Sequence, residues 1–251
     1  MKFARKLAAR VWPFKPLIEE RNRLRKQLAA CDCFPVPPPH LRFRIGADTS
    51  LDKFLGIGRT LLGDIKILAG KAGREFDSFE SILDFGCGCG RVARYLSKVT
   101  GTDIDPEAIA WCRENLPGTF DVNDSVPPLK YTDSSFDLIY AISVFTHLPE
   151  DLAMRWLEEM RRILRPGGLI VTSTIGESDL RGLVPDAWDE FQQRGFYYTT
   201  RFTTEGLPSF YGLTFHTRQY IETNWSRSFH ISVFHPKAIN NHQDGIVLTR
   251  Q

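Results

Sequence analysis

Residues 82–91, Ile82-Leu83-Asp84-Phe85-Gly86-Cys87-Gly88-Cys89-Gly90-Arg91, decide how this 251-residue chain is read. A short apolar run that ends in alternating glycines marks a strand passing into a turn. Glycine there admits positive φ and lets a ligand approach the backbone closely. A dinucleotide fingerprint would read G-x-G-x-x-G. Here the third glycine comes one position early, at Gly90, and position 91 is Arg. Asp84 stands two places before the first glycine, where a carboxylate would repel a pyrophosphate but suit an ammonium group. No phosphate-binding Gly-Lys-Ser/Thr follows.

Outward from this turn, strand and helix patterns alternate. Segment 92–98 (VARYLSK) reads as a helix and 99–104 (VTGTDI) as a second strand. A helix over 106–115 opens with Pro106 in its first turn and takes Asp105 as N-cap. Residues 119–122, 136–144 and 167–174 read as strands, and 150–164 as an amphipathic helix. After residue 176 a polar, aromatic-rich insertion leads to a helix over 216–225 and two strands, 229–236 and 244–250. The expected fold is α/β: a Rossmann-like, doubly wound, mostly parallel seven-stranded sheet with an antiparallel terminal strand and helices on both faces. One or two helices are expected within 48–72, preceded by an N-terminal helical extension.

Asp103 lies 19 residues after Asp84, at the end of the second strand. An acid so placed accepts hydrogen bonds from ribose hydroxyls. Two acids around a D-x-G-x-G-x-G turn imply a nucleoside with a cationic or zwitterionic tail, a description that S-adenosylmethionine meets. Four motifs then occur in order: ILDFGCGCGRVARYL, TGTDIDPEAI, FDLIYAISVFTHL and LRPGGLIVTST. On them, residues 80–175 resemble a class I S-adenosylmethionine-dependent methyltransferase. The segments 37–47 (PPPHLRFRIGA) and 215–250 resemble, more loosely, methyltransferases associated with polysaccharide and glycan gene clusters.

The resemblance implies that Gly86, Cys87, Gly88 and Gly90 line the methionine portion, with Asp84 at its amino end. It places Asp103 on the ribose, Ile104 on the adenine face, and Asn123 (or Asp124) at the adenine edge. Ser143 and Val144 come to lie under the sulfonium. Arg44, with Arg42 as its neighbour, is a candidate clamp for the methionine carboxylate. Transfer of the methyl to a hydroxyl would leave S-adenosylhomocysteine and would gain from a general base. Histidine suits that role near neutrality. His216 in the aromatic insertion is the first candidate, His147 after the fourth strand the second, and His242, close to Asp244, the third. His147 could instead pack on the cofactor or cap the next helix. The insertion's aromatic residues could stack on a sugar or serve as core, and no metal ligand set is identified.

Composition narrows the classes further. With 42% hydrophobic and 25% charged residues, the chain is neither low-complexity nor broadly disordered, and charged residues interrupt every apolar run. Five cysteines, two of them in the glycine turn, read as reduced thiols of a cytoplasmic protein. Residues 1–30 carry nine basic and two acidic side chains; the rest of the chain carries 23 and 28. The organisation expected is a basic helical arm and proline-rich linker over 1–40, then a methyltransferase domain over 41–251. Within it, 80–175 bind the cofactor and about 176–224 face the acceptor. The arm is either a solvated helix or a weak contact with an anionic surface, such as a membrane periphery. Nucleic-acid methylation is disfavoured, because the place of an [DN]-P-P-[FY] motif reads Ala141-Ile142-Ser143-Val144-Phe145. The leading function is methylation of a hydroxyl on a sugar or glycan-linked small molecule. The alternatives are an RNA, protein or lipid methyltransferase, or a non-catalytic cofactor-binding partner.

Overall fold

The apolar runs around the glycine turn become the centre of a sheet. In the computed structural model, which describes residues 34–46, 48–202 and 208–251, strands β1 (Ile82–Phe85), β2 (Thr100–Asp103), β3 (Thr119–Val122), β4 (Phe136–Ala141) and β5 (Leu164–Thr174) pair in parallel. β1 and β4 are buried along their whole length, the expected state of strands covered on both faces. The expected terminal pair forms as β8 (His230–Ile239) and β9 (Gln243–Thr249). β9 inserts antiparallel between β5 and β8, so the seven-stranded order among the described residues is β3-β2-β1-β4-β5-β9-β8.

Helices cover the two faces. α1 (Pro39–Arg44) and α2 (Leu51–Lys71) precede the sheet, and α2 is one continuous helix capped by Ser50, whose Oγ accepts from Lys53 N. α3 (Pro106–Asn115) opens on Pro106, and the Asp105 carboxylate caps it, accepting from Glu107 N and Ala108 N at 3.0 and 3.2 Å. α4 (Glu150–Ile163) buries Leu152, Trp156, Leu157, Met160 and Ile163 against the sheet, as its apolar periodicity requires. Leu41 of α1, Phe54 of α2, Cys89 and Ala108 of α3 form a second cluster.

The segment 92–98 departs from expectation. It holds a single 3₁₀ turn, Ala93–Tyr95, in place of a helix. Only nine residues separate Gly90 from the start of β2, and α2 occupies the space beside them. A Cβ on Gly58 of α2 would stand 2.3 Å from Arg91 O and 3.0 Å from the Tyr95 ring, while Tyr95 Oη donates to Leu55 O.

The aromatic insertion is ordered around its own pair of strands. α5 (Glu177–Leu183) and α6 (Trp188–Arg194) lead to β6 (Phe196–Thr199), which pairs antiparallel with β7 (Leu213–His216); α7 (Arg218–Asn224) follows. Three backbone-directed bonds dock β7 on the segment after β4: Gly212 N to His147 O, Thr214 N to Thr146 O, and Thr214 Oγ1 to Leu148 O. The compact body starts at Val36. Residues 1–33, and with them the basic helical arm expected there, lie outside the described residues.

Candidate active site

The C-terminal ends of β1, β2 and β4 meet at one cavity, the place where an open α/β sheet binds its ligand. The glycine turn forms its floor. Gly86, Gly88 and Gly90 have φ of 78°, 52° and 78°, a region that favours glycine. Space adds to this requirement. A Cβ at Gly86 would come 2.5 Å from Val144 Cγ2, and one at Gly88 2.5 Å from Ile45 Cγ2. Gly90 faces away from the cavity, against Leu116 and Cys112 of the α3 side.

Asp84 and Asp103 stand on the cavity wall. Asp84 is 4% exposed, and its Oδ2 has no partner among the described residues. Burial pushes its pKa up to about 7; the neighbouring Tyr140 hydroxyl opposes the shift without reaching hydrogen-bond geometry, and Asp103 adds to it. Asp103 is tied to the turn itself. Its Oδ2 accepts from Gly88 N at 2.7 Å and its Oδ1 from Asp105 N at 2.9 Å. Burial raises its pKa while these backbone donors hold it down. A carboxylate so anchored keeps lone pairs for a ligand's hydroxyl groups.

Cys87, Ile104, Asn123, Ser143 and Val144 all line the same cavity. Of the two residues weighed for the adenine edge, Asn123 lies there, held by Thr102 Oγ1 donating to its Oδ1 at 2.7 Å, whereas Asp124 is exposed outside it. Ser143 has a left-handed backbone, φ 60°, fixed by its N–H donating to Ser173 Oγ and by its hydroxyl meeting the Gln243 amide. Arg44 reaches the cavity, but its Nη1 donates to Asp105 and pairs with Glu107 at 2.9 and 2.8 Å. That engagement commits it to the two acids at the start of α3. Arg42 donates to Pro37 O and Thr49 O and does not line the cavity.

The three histidines separate clearly. His216, the first candidate base, is corrected: it is 2% exposed, lies off the cavity among Phe196, Tyr220 and Trp225, and neither ring nitrogen has a partner among the described residues. Burial lowers its pKa to about 3. Its position on β7 alternates inward, into the core. His242 is corrected too. It is exposed, away from the cavity, and its Nδ1 approaches Asp179 at 3.5 Å instead of Asp244. His147 lines the cavity. Its Nδ1 is 2.6 Å from Gly212 O, and its ring stacks on Tyr211 at 4.0 Å and 17°. A carbonyl only accepts, so Nδ1 carries the proton and Nε2 keeps a lone pair. Burial lowers the His147 pKa to about 4, which holds the ring neutral.

Of the insertion's aromatic residues, expected either to stack on an acceptor or to serve as core, Phe210 and Tyr211 wall the cavity, brought there by the tertiary docking of β7. One contributor escaped the sequence reading: Arg91 lines the cavity beside Asp84, and its signal was its place directly after the last glycine.

Sheet order, glycine turn and paired acids give this chain the fold of the S-adenosylmethionine-dependent methyltransferases. Residues 83–172 match the family model described as a methyltransferase domain. Solved structures similar to it include a SAM-dependent methyltransferase of Methanosarcina mazei (TM-score 0.52, 21% identity, covering 68% of this chain and 92% of that one). A Pyrococcus horikoshii protein aligns with TM-score 0.58 at 19% identity, over 83% of this chain and 98% of that one. Among curated proteins, the 2-methyl-6-phytyl-1,4-hydroquinone methyltransferase of Synechocystis is 29% identical over 44% of this chain and 36% of its own length. The methyltransferase GfsG of Streptomyces halstedii is 36% identical over 42% and 40%, and a malonyl-[acyl-carrier protein] O-methyltransferase of Pectobacterium atrosepticum 31% over 48% and 47%. The matched stretch therefore spans less than half the length of these curated relatives.

Proposed function

We propose that this protein transfers a methyl group from S-adenosylmethionine to a hydroxyl of a small molecule. The observation that carries the reading is the unpartnered, buried Asp84 carboxylate beside a glycine floor that admits no Cβ. Asp84 meets an ammonium group, Asp103 meets ribose hydroxyls, and Ile104 and Asn123 bound the adenine. When bound, the donor supplies an electrophilic methyl on a sulfonium. The chain then has to align the acceptor oxygen with that methyl and receive the hydroxyl proton. Alignment is worth on the order of 7–11 kcal/mol in favourable cases. His147 Nε2 is the atom to take the proton, its tautomer set by Gly212 O, and the loss of such a base costs roughly 10²–10⁴ in rate. Phe210 and Tyr211 offer flat apolar faces to the acceptor, which suits the C–H face of a sugar ring or a glycan-linked group. The O-methyltransferase among the relatives supports an oxygen acceptor.

Calorimetry with S-adenosylhomocysteine and with NAD tests the donor. Micromolar binding of the first and none of the second is expected; the reverse sinks the reading. With labelled donor and a panel of hydroxyl-bearing sugars and glycan fragments, His147→Ala should lower turnover by about a hundredfold. Its S-adenosylhomocysteine affinity should change far less.

A further inference from the structure

Arg91 closes the glycine turn and lines the cavity, with no hydrogen bond or ion pair among the described residues. Two glycines make room for it. A Cβ at Gly58 of α2 would stand 3.2 Å from Arg91 Cγ, and one at Gly46, just past α1, 3.2 Å from Arg91 Nη1. The side chain is thus directed between two elements into the site. Asp84 is near enough for the two charges to act on each other, yet no ion pair joins them. Neither group has a direct charged partner among the described residues.

An unpaired carboxylate and an unpaired guanidinium on one cavity wall complement an α-amino acid, ammonium to the one and carboxylate to the other. Arg44, the only other arginine among the residues lining the cavity, is committed to Asp105 and Glu107 on the α3 side. We propose that Arg91, and not Arg44, binds the carboxylate of the donor's methionine portion, opposite Asp84 at its ammonium. The inference rests on the donor reading above and assigns a recognition residue within it. Burial depresses the Arg91 pKa although the nearby Asp84 opposes the shift, and no hydrogen bond or ion pair among the described residues answers the charge directly. The planar guanidinium can grip a carboxylate through two parallel bonds, which an ammonium cannot reproduce.

Three probes separate the outcomes by calorimetry on the full chain. S-adenosylhomocysteine carries the amino acid, its carboxamide lacks the negative charge, and 5′-methylthioadenosine lacks the amino acid altogether. In the wild type, the carboxamide should bind at least tenfold more weakly than S-adenosylhomocysteine. Arg91→Gln should lower S-adenosylhomocysteine affinity at least tenfold, bring it level with the carboxamide, and leave methylthioadenosine within twofold. Arg91→Lys should fall between, and it keeps the charge should the Gln variant fail to fold. Equal S-adenosylhomocysteine affinity in wild type and variants overturns the assignment. So does a parallel loss of methylthioadenosine, which would mean that Arg91 only shapes the turn. A wild type that binds none of the three overturns the donor reading itself, and this inference with it.

Discussion

Asp84 is the residue at which burial and function meet. With a pKa of about 7, it changes charge inside the physiological range, between Tyr140, Asp103 and Arg91. Only the ionised form attracts an ammonium. Affinity for S-adenosylhomocysteine should therefore rise about tenfold between pH 6 and pH 8, as the ionised fraction grows from roughly a tenth to nine-tenths. His147, at about 4, stays neutral throughout that window. Asp84→Asn should bind weakly at both pH values and flatten the profile; a slope that survives in the variant would move the titration to another group. His216 gives the opposite case, a buried ring that matters for stability. Its folded pKa of about 3 lies below the ordinary value of 6.5, so the unfolded chain takes up a proton first as pH falls. Stability is then lost from about pH 6.5 downwards, by about 2 kcal/mol at pH 5. His216→Phe should raise the unfolding temperature at pH 5 relative to wild type and leave S-adenosylhomocysteine binding unchanged. An unchanged acid profile would show that other groups set it.

At the scale of elements, the turn after β1 depends on three neighbours packed into it. Val144 after β4 fills the place of a Cβ on Gly86, Ile45 after α1 does so for Gly88, and Leu116 after α3 for Gly90. Gly88→Ala must push Ile45 by more than half an ångström and hold Ala at positive φ, a strain of order 1–3 kcal/mol. It should weaken S-adenosylhomocysteine binding by more than tenfold, as read by calorimetry, while circular dichroism stays native. Wild-type affinity in that variant would show the turn to be far softer than its packing. The strand–turn–strand pattern and the Asp105–Pro106 helix start were legible because each rests on neighbours in sequence. The absent helix after the glycines was not, since VARYLSK has helical periodicity but α2 occupies the adjoining space and only nine residues separate Gly90 from β2.

For the whole molecule, the charge division raises the question of what the arm touches. No helix among the described residues is long and apolar enough to cross a membrane. We propose that residues 1–30, with nine basic side chains, contact an anionic lipid surface, each basic residue near it contributing about 1 kcal/mol at low salt. The chain should bind phosphatidylserine vesicles and lose them as salt rises and the Debye length shrinks. Deleting residues 1–30 should abolish vesicle binding but keep S-adenosylhomocysteine affinity, because the residues lining the cavity run from Arg44 to Tyr211. Vesicle binding that ignores salt, or none by the intact chain, would leave a solvated arm.

Local sequence was enough for the sheet, the turn and the placing of Asp84, Asp103, Asn123 and Ser143 at the C-terminal ends of the strands. Strand ends and glycine turns are local features, and a parallel sheet delivers them all to one side. Folding in three dimensions was needed to show which histidine faces the cavity and which of its two arginines is left without an ion pair. A residue's direction in the insertion depends on how β7 docks against the segment after β4, and that docking turns His216 into the core and brings Tyr211 over His147. Arg44 and Arg91 look alike in sequence, yet the acids of α3 claim one and leave the other charged and unpaired. Which partner a long side chain finds is a property of space, not of spacing.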